Sequence, residues 1–394
     1  MRVTHIITRL IVGGAQENTV ASVLGLRNKP GLEVDLISGP TSGPEGSLES
    51  SLKGVRGTLT VTPNLVRAVH PLKDCLALRH LTQLLRERKP DIVHTHSSKA
   101  GVLGRFAARR AGVPIIVHTI HGPSFGPFQG KLANAVFTTA ERLAALYTTH
   151  FVVVANAMKD QFLAARIGQA AQFTRVFSGF ALDPFLKAGN DPALRKRLGF
   201  AADDFVVGNV ARLFKLKGHE DLILAAPELV RRSARMKFLI VGGGPQRERL
   251  ETAVRTLGLE KHFVFTGLVP PEEIPGYLGV MDVLVHLSYR EGIARALPQA
   301  LAAGRPVIAY DCDGACEVCL DNDTGFLIAP GDRQMLIERL LRLVRDTALR
   351  ERLRRRGPEL VKEWFPVERM VNDLHALYLR LAKTHAPGPT HRTP

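Results

Sequence analysis

The sequence contains no long apolar run, and nothing in it approaches the ~20 uninterrupted hydrophobic residues that span a bilayer. Its first residues, Met-Arg-Val-Thr-His-Ile-Ile-Thr-Arg-Leu-Ile-Val, read as a buried first strand, with neither the h-region nor the small-residue cleavage site of a signal peptide. The expected location is therefore cytoplasmic. Cysteine is scarce as well: four residues in 394 exclude a disulfide framework in a chain of this size. Three of them, Cys312, Cys316 and Cys319, have the C-x3-C-x2-C spacing with which radical SAM enzymes hold an iron–sulfur cluster. Such a loop is expected after an early barrel strand. Here it follows Pro306-Val-Ile-Ala-Tyr310, late in the chain, with an Asp on either side of Cys312. Metal sites need geometry as well as spacing, so the three are read as small, partly buried residues at a strand-to-helix junction. RNP-like aromatic motifs and zinc-finger spacings are missing too, and the Lys and Arg residues are scattered singly through helical patterns, which argues against nucleic acid.

What is present is ordinary for a soluble enzyme: 45% hydrophobic and 23% charged residues. A chain of 394 residues exceeds one ordinary core, so two domains are expected. The net charge of +16 is uneven. Residues 1–187 carry 22 Lys/Arg against 11 Asp/Glu, a net +11, and the remainder 31 against 26, a net +5. A basic first half suits an acidic partner such as an anionic membrane surface or a phosphorylated substrate; solvated charge on an Arg-rich protein explains it equally.

Short apolar runs alternate with helical patterns in two series. In the first, strands are expected at Val3–Ile7, Val34–Ser38, Asp91–His94, Ile115–Thr119 and Phe151–Ala155, with helices at Gln16–Leu26, Leu76–Arg88, Ser98–Arg110 and Leu132–Tyr147. The second has strands at Phe205–Val210, Lys237–Val241, Val264–Thr266, Val283–Leu287 and Val307–Tyr310, and helices at His219–Arg232, Glu248–Leu257 and Leu297–Ala303. Gly179–Phe200, rich in Gly, Asp, Pro and Lys, reads as a linker. The expected fold is α/β: two Rossmann-like doubly wound domains facing across a cleft, over residues 1–185 and 186–365. Long Arg/Leu helices follow Asp332, with residues 366–394 forming a C-terminal helix, placed back on the first domain, and a disordered Pro/Thr/His-rich tail. Ligands on such sheets sit beyond the carboxyl ends of the strands.

Several loops at those ends can do chemistry. Gly13-Gly14-Ala15-Gln16 between the first strand and helix offers bare backbone N–H groups to a phosphate or hydroxyl, and Gly242–Gly244 stands at the same place in the second domain. Arg212-Leu-Phe-Lys-Leu-Lys217-Gly218-His219 puts cations in a βα loop, where an Arg fork and a Lys point charge suit a diphosphate. His94 and His96 end one strand, and His118 and His121 the next. No carboxylate with ligand spacing accompanies them, so no metal is expected, and His121 is read as a contact for a bound hydroxyl. In Glu291-Gly292-Ile293-Ala294 a turn leads into a helix expected to begin near Ala294, with Pro298 tolerated in its first turn. Orphan amides there favour negative ligand charge beside Glu291, and Gln299 follows one turn on.

In order, these motifs resemble the glycosyltransferases of family 4, retaining enzymes with the GT-B fold. The family's Glu-x7-Glu motif stands as Glu291-Gly292…Gln299-Ala300-Leu-Ala-Ala-Gly304-Arg-Pro306-Val-Ile308, with Gln in place of the second Glu. Its G-G-A-E is Gly13-Gly14-Ala15-Gln16, its H-x-H is His94-Thr-His96, and its His-Gly is His121-Gly122. Its diphosphate loop is Arg212-Leu213…Lys217-Gly218, and its V-G-x-G-P is Val241–Pro245. The likeness runs over nearly the whole chain.

The resemblance implies a nucleotide-diphosphate sugar bound in the C-terminal domain and a glycolipid or glycan acceptor in the N-terminal domain, at the inner face of the membrane. It assigns Arg212 and Lys217 to the departing diphosphate. Glu291 would hold donor-sugar hydroxyls, with the amides of Gly292, Ile293 and Ala294 beside it. Gln299 would face the ribose, His121 the sugar, and Gly13-Gly14 the phosphates and acceptor. No cofactor and no metal are implied, and transfer retains anomeric configuration by front-face attack with the leaving phosphate as base. An epimerase or a phosphorylase shares the fold, although no lysine here stands out for pyridoxal phosphate. A catalytically silent sugar-nucleotide-binding protein is the alternative that Gln16 and Gln299 raise.

Overall fold

The computed structural model describes residues 1–385 apart from 42, 44, 45, 54, 56 and 127; the part of the expected disordered tail from residue 386 on lies outside the described residues. The chain divides into two compact units: Met1–Gly179 together with the chain from Val367 on, and Phe180–Pro366.

The first unit is built on seven strands: β1 (Arg2–Ile7), β2 (Glu33–Ser38), β3 (Leu59–Val61), β4 (Ile92–His96), β5 (Ile115–Ile120), β6 (His150–Val153) and β7 (Phe173–Arg175). They pair in the order β3-β2-β1-β4-β5-β6-β7, every pair parallel. Every residue of β4, β5 and β6 is buried, the polar His94, His96, His118 and His150 included, as befits parallel strands covered by helices on both faces. Side chains alternate across the sheet. Val3 and Ile7 of β1 pack with Val23, Leu26 and Leu374 on one face. Ile6, Val93 and Ile116 pack with Leu81, Leu85 and Ala107 on the other. The helix expected over Leu76–Arg88 starts earlier, at Pro71, because proline fits a first turn and the His70 ring caps it by accepting from the Lys73 N–H at 3.3 Å. The last helix, Val367–Thr384, buries Met370, Leu374, Leu377 and Tyr378 in the first unit's core.

The second unit holds β8 (Phe205–Val210), β9 (Met236–Val241), β10 (Phe263–Gly267), β11 (Val283–His286), β12 (Val307–Tyr310) and β13 (Gly325–Ile328). They form one parallel sheet in the order β10-β9-β8-β11-β12-β13. Both units are thus doubly wound α/β sheets. The segment read as a linker is not a bare connector. It carries the short helices Asp183–Leu186 and Pro192–Arg197 inside the second unit, the second capped by Asp191, whose carboxylate accepts from the Ala193 N–H. No described helix is long and apolar enough to cross a membrane.

Candidate active site

In the second sheet the strand order reverses between β8 and β11, the place where doubly wound sheets open a crevice beyond their carboxyl ends. The two loops leaving those strands meet there. The Leu216 carbonyl accepts from the Tyr289 N–H at 2.8 Å and from the Ser288 hydroxyl at 3.1 Å. Gly218 makes this approach feasible. Its φ is +70°, and a Cβ there would lie 1.9 Å from the Leu287 carbonyl oxygen, so both conformation and space demand glycine.

Clasped in this way, the loops bring Lys217 and Glu291 together: Lys217 Nζ donates to Glu291 Oε1 in an ion pair. The same carboxylate oxygen lies 3.3 Å from Nε2 of the buried His286, at the end of β11. Asp313 anchors the Glu291 backbone by accepting its N–H at 2.7 Å. Burial pushes the Glu291 carboxyl up, but Lys217 and His286 outweigh it and hold the group well below the usual carboxylate range. Glu291 is therefore a fixed anion, suited to accepting hydrogen bonds and not to giving up a proton.

Beside it, Gly292, Ile293 and Ala294 are buried, and their amides donate to no other described residue. Three successive donors without a partner form a cradle for ligand oxygens. The helix that follows is Ala296–Ala302, two residues beyond the Ala294 near which it was expected to begin. Gly292, Ile293 and Ala294 precede it as a bend and irregular backbone leading into Arg295, its αR N-cap, so no helical pairing takes up their amides. Gln299 lies on this helix, partly exposed. Arg212 is exposed, with its guanidinium 5.0 Å from the Phe214 ring centroid, and the structure does not bring it into the Lys217–Glu291 pair. Gly242 and Gly244 pack on the Arg212 loop: a Cβ on Gly242 would lie 2.1 Å from the Ala211 carbonyl oxygen, and the Leu213 N–H donates to the Gly243 carbonyl at 2.9 Å. His286, Ser288 and Asp313 were not singled out in the sequence. A histidine closing a strand that leads into the Glu291 loop was the available signal.

Of the remaining predicted residues, Gly13, Gly14 and His121 belong to the first unit. Gly13 precedes the helix Gly14–Arg27, and a Cβ on it would meet only the Gln16 side chain, at 2.9 Å. His121 leaves β5 partly exposed, and its Nε2 lies 3.1 Å from Nδ1 of His96. The strand-end histidines His94 and His96 are buried and, with His5 in the middle of β1, are linked to one another directly or through Tyr378, while the buried His118 has its Nδ1 2.9 Å from Thr95 Oγ1. Burial keeps them neutral, lowering His5 and His121 to about 3 and His94 and His96 well below the ordinary value. Of the cysteines, Cys316 is exposed, Cys312 partly so and Cys319 buried. Burial raises all three thiols, Cys312 to about 12. Thiolates are what clusters need, and among the described residues these three do not converge on one ligand set.

Two family models match the chain: "Glycosyl transferase 4-like domain" over residues 13–177 and "Glycosyl transferases group 1" over residues 190–360. The UDP-Gal:alpha-D-GlcNAc-diphosphoundecaprenol alpha-1,3-galactosyltransferase of Escherichia coli is 30% identical over 353 residues, 89% of each chain. The 2-deoxystreptamine glucosyltransferase of Streptomyces kanamyceticus is 31% identical over 88% of each. Among solved structures, Anabaena HepE in complex with UDP and glucose superposes with a TM-score of 0.82 at 22% identity, over 96% of this chain and 100% of that one. That likeness carries the fold, GT-B, and the sequence relatives carry the family: the chain belongs to the glycosyltransferases, with a 4-like domain followed by a group 1 domain.

Proposed function

We propose that the chain transfers a hexose from a UDP- or GDP-sugar, with retention and without a divalent metal, to a lipid- or polysaccharide-linked acceptor in cell-envelope or exopolysaccharide synthesis. The observation that carries this reading is the Lys217–Glu291 pair beside the three open amides of Gly292 to Ala294. Together they offer a cation for a diphosphate, an anion for sugar hydroxyls and neutral donors for oxygen, with no poised nucleophile among them. As the bond from the sugar's anomeric carbon to the diphosphate breaks, Lys217 and Arg212 balance the charge gathering on the leaving oxygens. The acceptor oxygen bonds to that carbon on the same face, and its proton passes to the departing phosphate. Glu291 and the amides hold the sugar, Gln299 accepts from the ribose, Gly13-Gly14 borders the phosphates and acceptor, and His121 meets a hydroxyl.

The acceptor class is suggested by the diphosphoundecaprenol-linked substrate in the E. coli relative's name, and by the helix Lys131–Ala145 of the first unit. Its Leu132, Val136 and Leu143 are 81%, 55% and 50% exposed, and Leu146 beyond it 74%. Lys131, Arg142 and Arg109 flank this apolar stripe, the last 5.6 Å from the Tyr147 ring centroid. An apolar face edged with cations suits a peripheral site on the anionic inner leaflet.

The test is turnover of UDP-galactose, UDP-glucose and GDP-mannose with GlcNAc-diphospho-lipid as acceptor, with and without EDTA. Transfer that EDTA leaves intact and that gives an α-linked product supports the proposal. An inverted product or loss of transfer in EDTA would overturn the corresponding part, and donor binding without transfer to any lipid or glycan acceptor would favour a silent binding protein.

A further inference from the structure

Four histidines of the first unit, the buried His5, His94 and His96 and the partly exposed His121, form one continuous hydrogen-bonded chain with Tyr378 and Thr119. Thr119 Oγ1 lies 2.6 Å from His94 Nε2, and His94 Nδ1 is 2.5 Å from the Tyr378 hydroxyl. That hydroxyl is 3.3 Å from His5 Nε2, His5 Nδ1 is 2.9 Å from His96 Nε2, and His96 Nδ1 is 3.1 Å from His121 Nε2. His5, His94 and His96 also present nitrogens within 4.8 Å of one another, as a metal site would. Yet both ring nitrogens of each already have a protein partner, so the donor set is spent on itself. The sheet explains the alignment: His5 and His94 are paired in register, and His96 sits one alternation further on the same face, beneath the helix that carries Tyr378.

Buried and uncharged, each imidazole has one N–H and one bare nitrogen. A chain of such rings can run in only two ways: all donating toward Thr119, or all donating toward His121. Any mixed order would set two N–H groups, or two lone pairs, against each other, or, with both rings beside Tyr378 donating to its oxygen, leave the buried phenol O–H without a partner. Tyr378 decides the direction. Hydroxyl donors make the shorter bonds, about 2.7 Å against about 2.9 Å for N–H to oxygen. The Tyr378 oxygen has a 2.5 Å link to His94 and a 3.3 Å link to His5. A phenol donating into the short link and accepting through the long one fits both distances. The reverse would stretch its O–H bond to 3.3 Å and compress an N–H bond to 2.5 Å. The 2.6 Å link to Thr119 is then a short N–H bond, the smaller misfit.

We propose that Tyr378, acting through His5 and His96, fixes His121 as the Nε2–H tautomer, so that its Nδ1 is a bare acceptor for a ligand hydroxyl. His121 donates to His96, His96 to His5, His5 to Tyr378, Tyr378 to His94 and His94 to Thr119. All four rings are Nε2–H tautomers, and each link holds one proton. Nδ1 of His121 has no partner among the described residues and remains open to the site. Tyr378 and the inner histidines are positioning residues. That the hydroxyl belongs to a sugar rests on the function proposed above, whereas the tautomer does not.

The test is ring-nitrogen NMR on the unliganded full chain labelled with 15N-histidine, since a bare and a protonated ring nitrogen resonate far apart. His121, assigned by its loss in His121→Gln, is expected with Nε2 protonated and Nδ1 bare. In Tyr378→Phe, which removes the hydroxyl and keeps the ring, its two shifts should move toward each other as both tautomers become populated. A His121 carrying its proton on Nδ1 in the unsubstituted protein would overturn the proposal, and so would shifts unchanged by Tyr378→Phe. Should the variant not fold, the first measurement decides alone. An inactive enzyme with the expected tautomer would refute only the assignment of the ligand.

Discussion

At the scale of single residues, the structure separates two cations that the sequence had treated alike. Lys217 is held against Glu291, whereas Arg212 is exposed over Phe214. Both are assigned to the leaving diphosphate, so Lys217→Ala and Arg212→Ala should each cost at least ~2 kcal/mol of transition-state stabilisation, about thirtyfold in kcat/KM. Coupling to Glu291 should differ. Residues in contact lose energy non-additively, while separated ones add. Steady-state kinetics of Lys217→Ala/Glu291→Gln should therefore show less loss than the sum of the single variants, and Arg212→Ala/Glu291→Gln should show the sum. Additivity in the first pair would mean that the ion pair does not persist in the working enzyme. Near-wild-type turnover in both single variants would remove the diphosphate assignment.

At the scale of elements, what the sequence made legible followed from burial. The strands β1, β4, β5, β8, β9, β11 and β12 lie inside their sheets, covered on both faces, and their short clusters of Val, Ile, Leu and Phe marked them to within a few residues. The missed strands β3, β7 and β13 are sheet edges of three or four residues, too short and too mixed to carry a period. The Lys217 and Glu291 loops were legible because charge and glycine crowd at strand ends. Asp313 and Tyr378 were not, since they act through pairing across 22 and 373 residues, and His286 was not because only the fold turns its ring back on Glu291, five residues on. The helix Lys131–Ala145 is a further case: helical spacing was evident, but not which face would be inward. Glu141 settles it by accepting from the buried Arg105 guanidinium at 2.5 Å, and so turns Leu132, Val136 and Leu143 outward. Replacing these three by Ser leaves the buried face intact and removes roughly 1.5–3 kcal/mol of burial per side chain that inserts. Flotation with vesicles containing anionic lipid should then fall at least tenfold, with an unchanged melting temperature. Equal flotation of variant and parent would exclude this helix as the membrane contact.

At the scale of the whole molecule, the two units differ in what acid does to them. Burial lowers the pKa of six histidines in the first unit: His5, His94, His96, His118, His121 and His150. The described residues of the second unit show this for His219, lowered to about 4. A histidine held neutral in the fold takes up its proton near pH 6.5 only when the chain unfolds. Its contribution to stability is therefore complete above pH 6.5 and is lost as pH falls toward the lowered values, 3 to 4 where they are given. The loss is about 1.4 kcal/mol per pH unit for each such group, so near pH 5 each fully buried ring has forfeited about 2 kcal/mol. Glu291 adds nothing in this range, because a carboxyl held below its ordinary pKa loses its contribution only in stronger acid. Between pH 7 and pH 5 the first unit should thus weaken several times more than the second. Hydrogen exchange followed by mass spectrometry, corrected for the intrinsic pH dependence of exchange, reads this directly: peptides of β1, β4 and β5 should lose protection while those of β8, β9 and β11 keep most of theirs. Equal losses in both sheets would mean that the histidine chain is hydrated and titrates in place, and its single-tautomer order would fall with it.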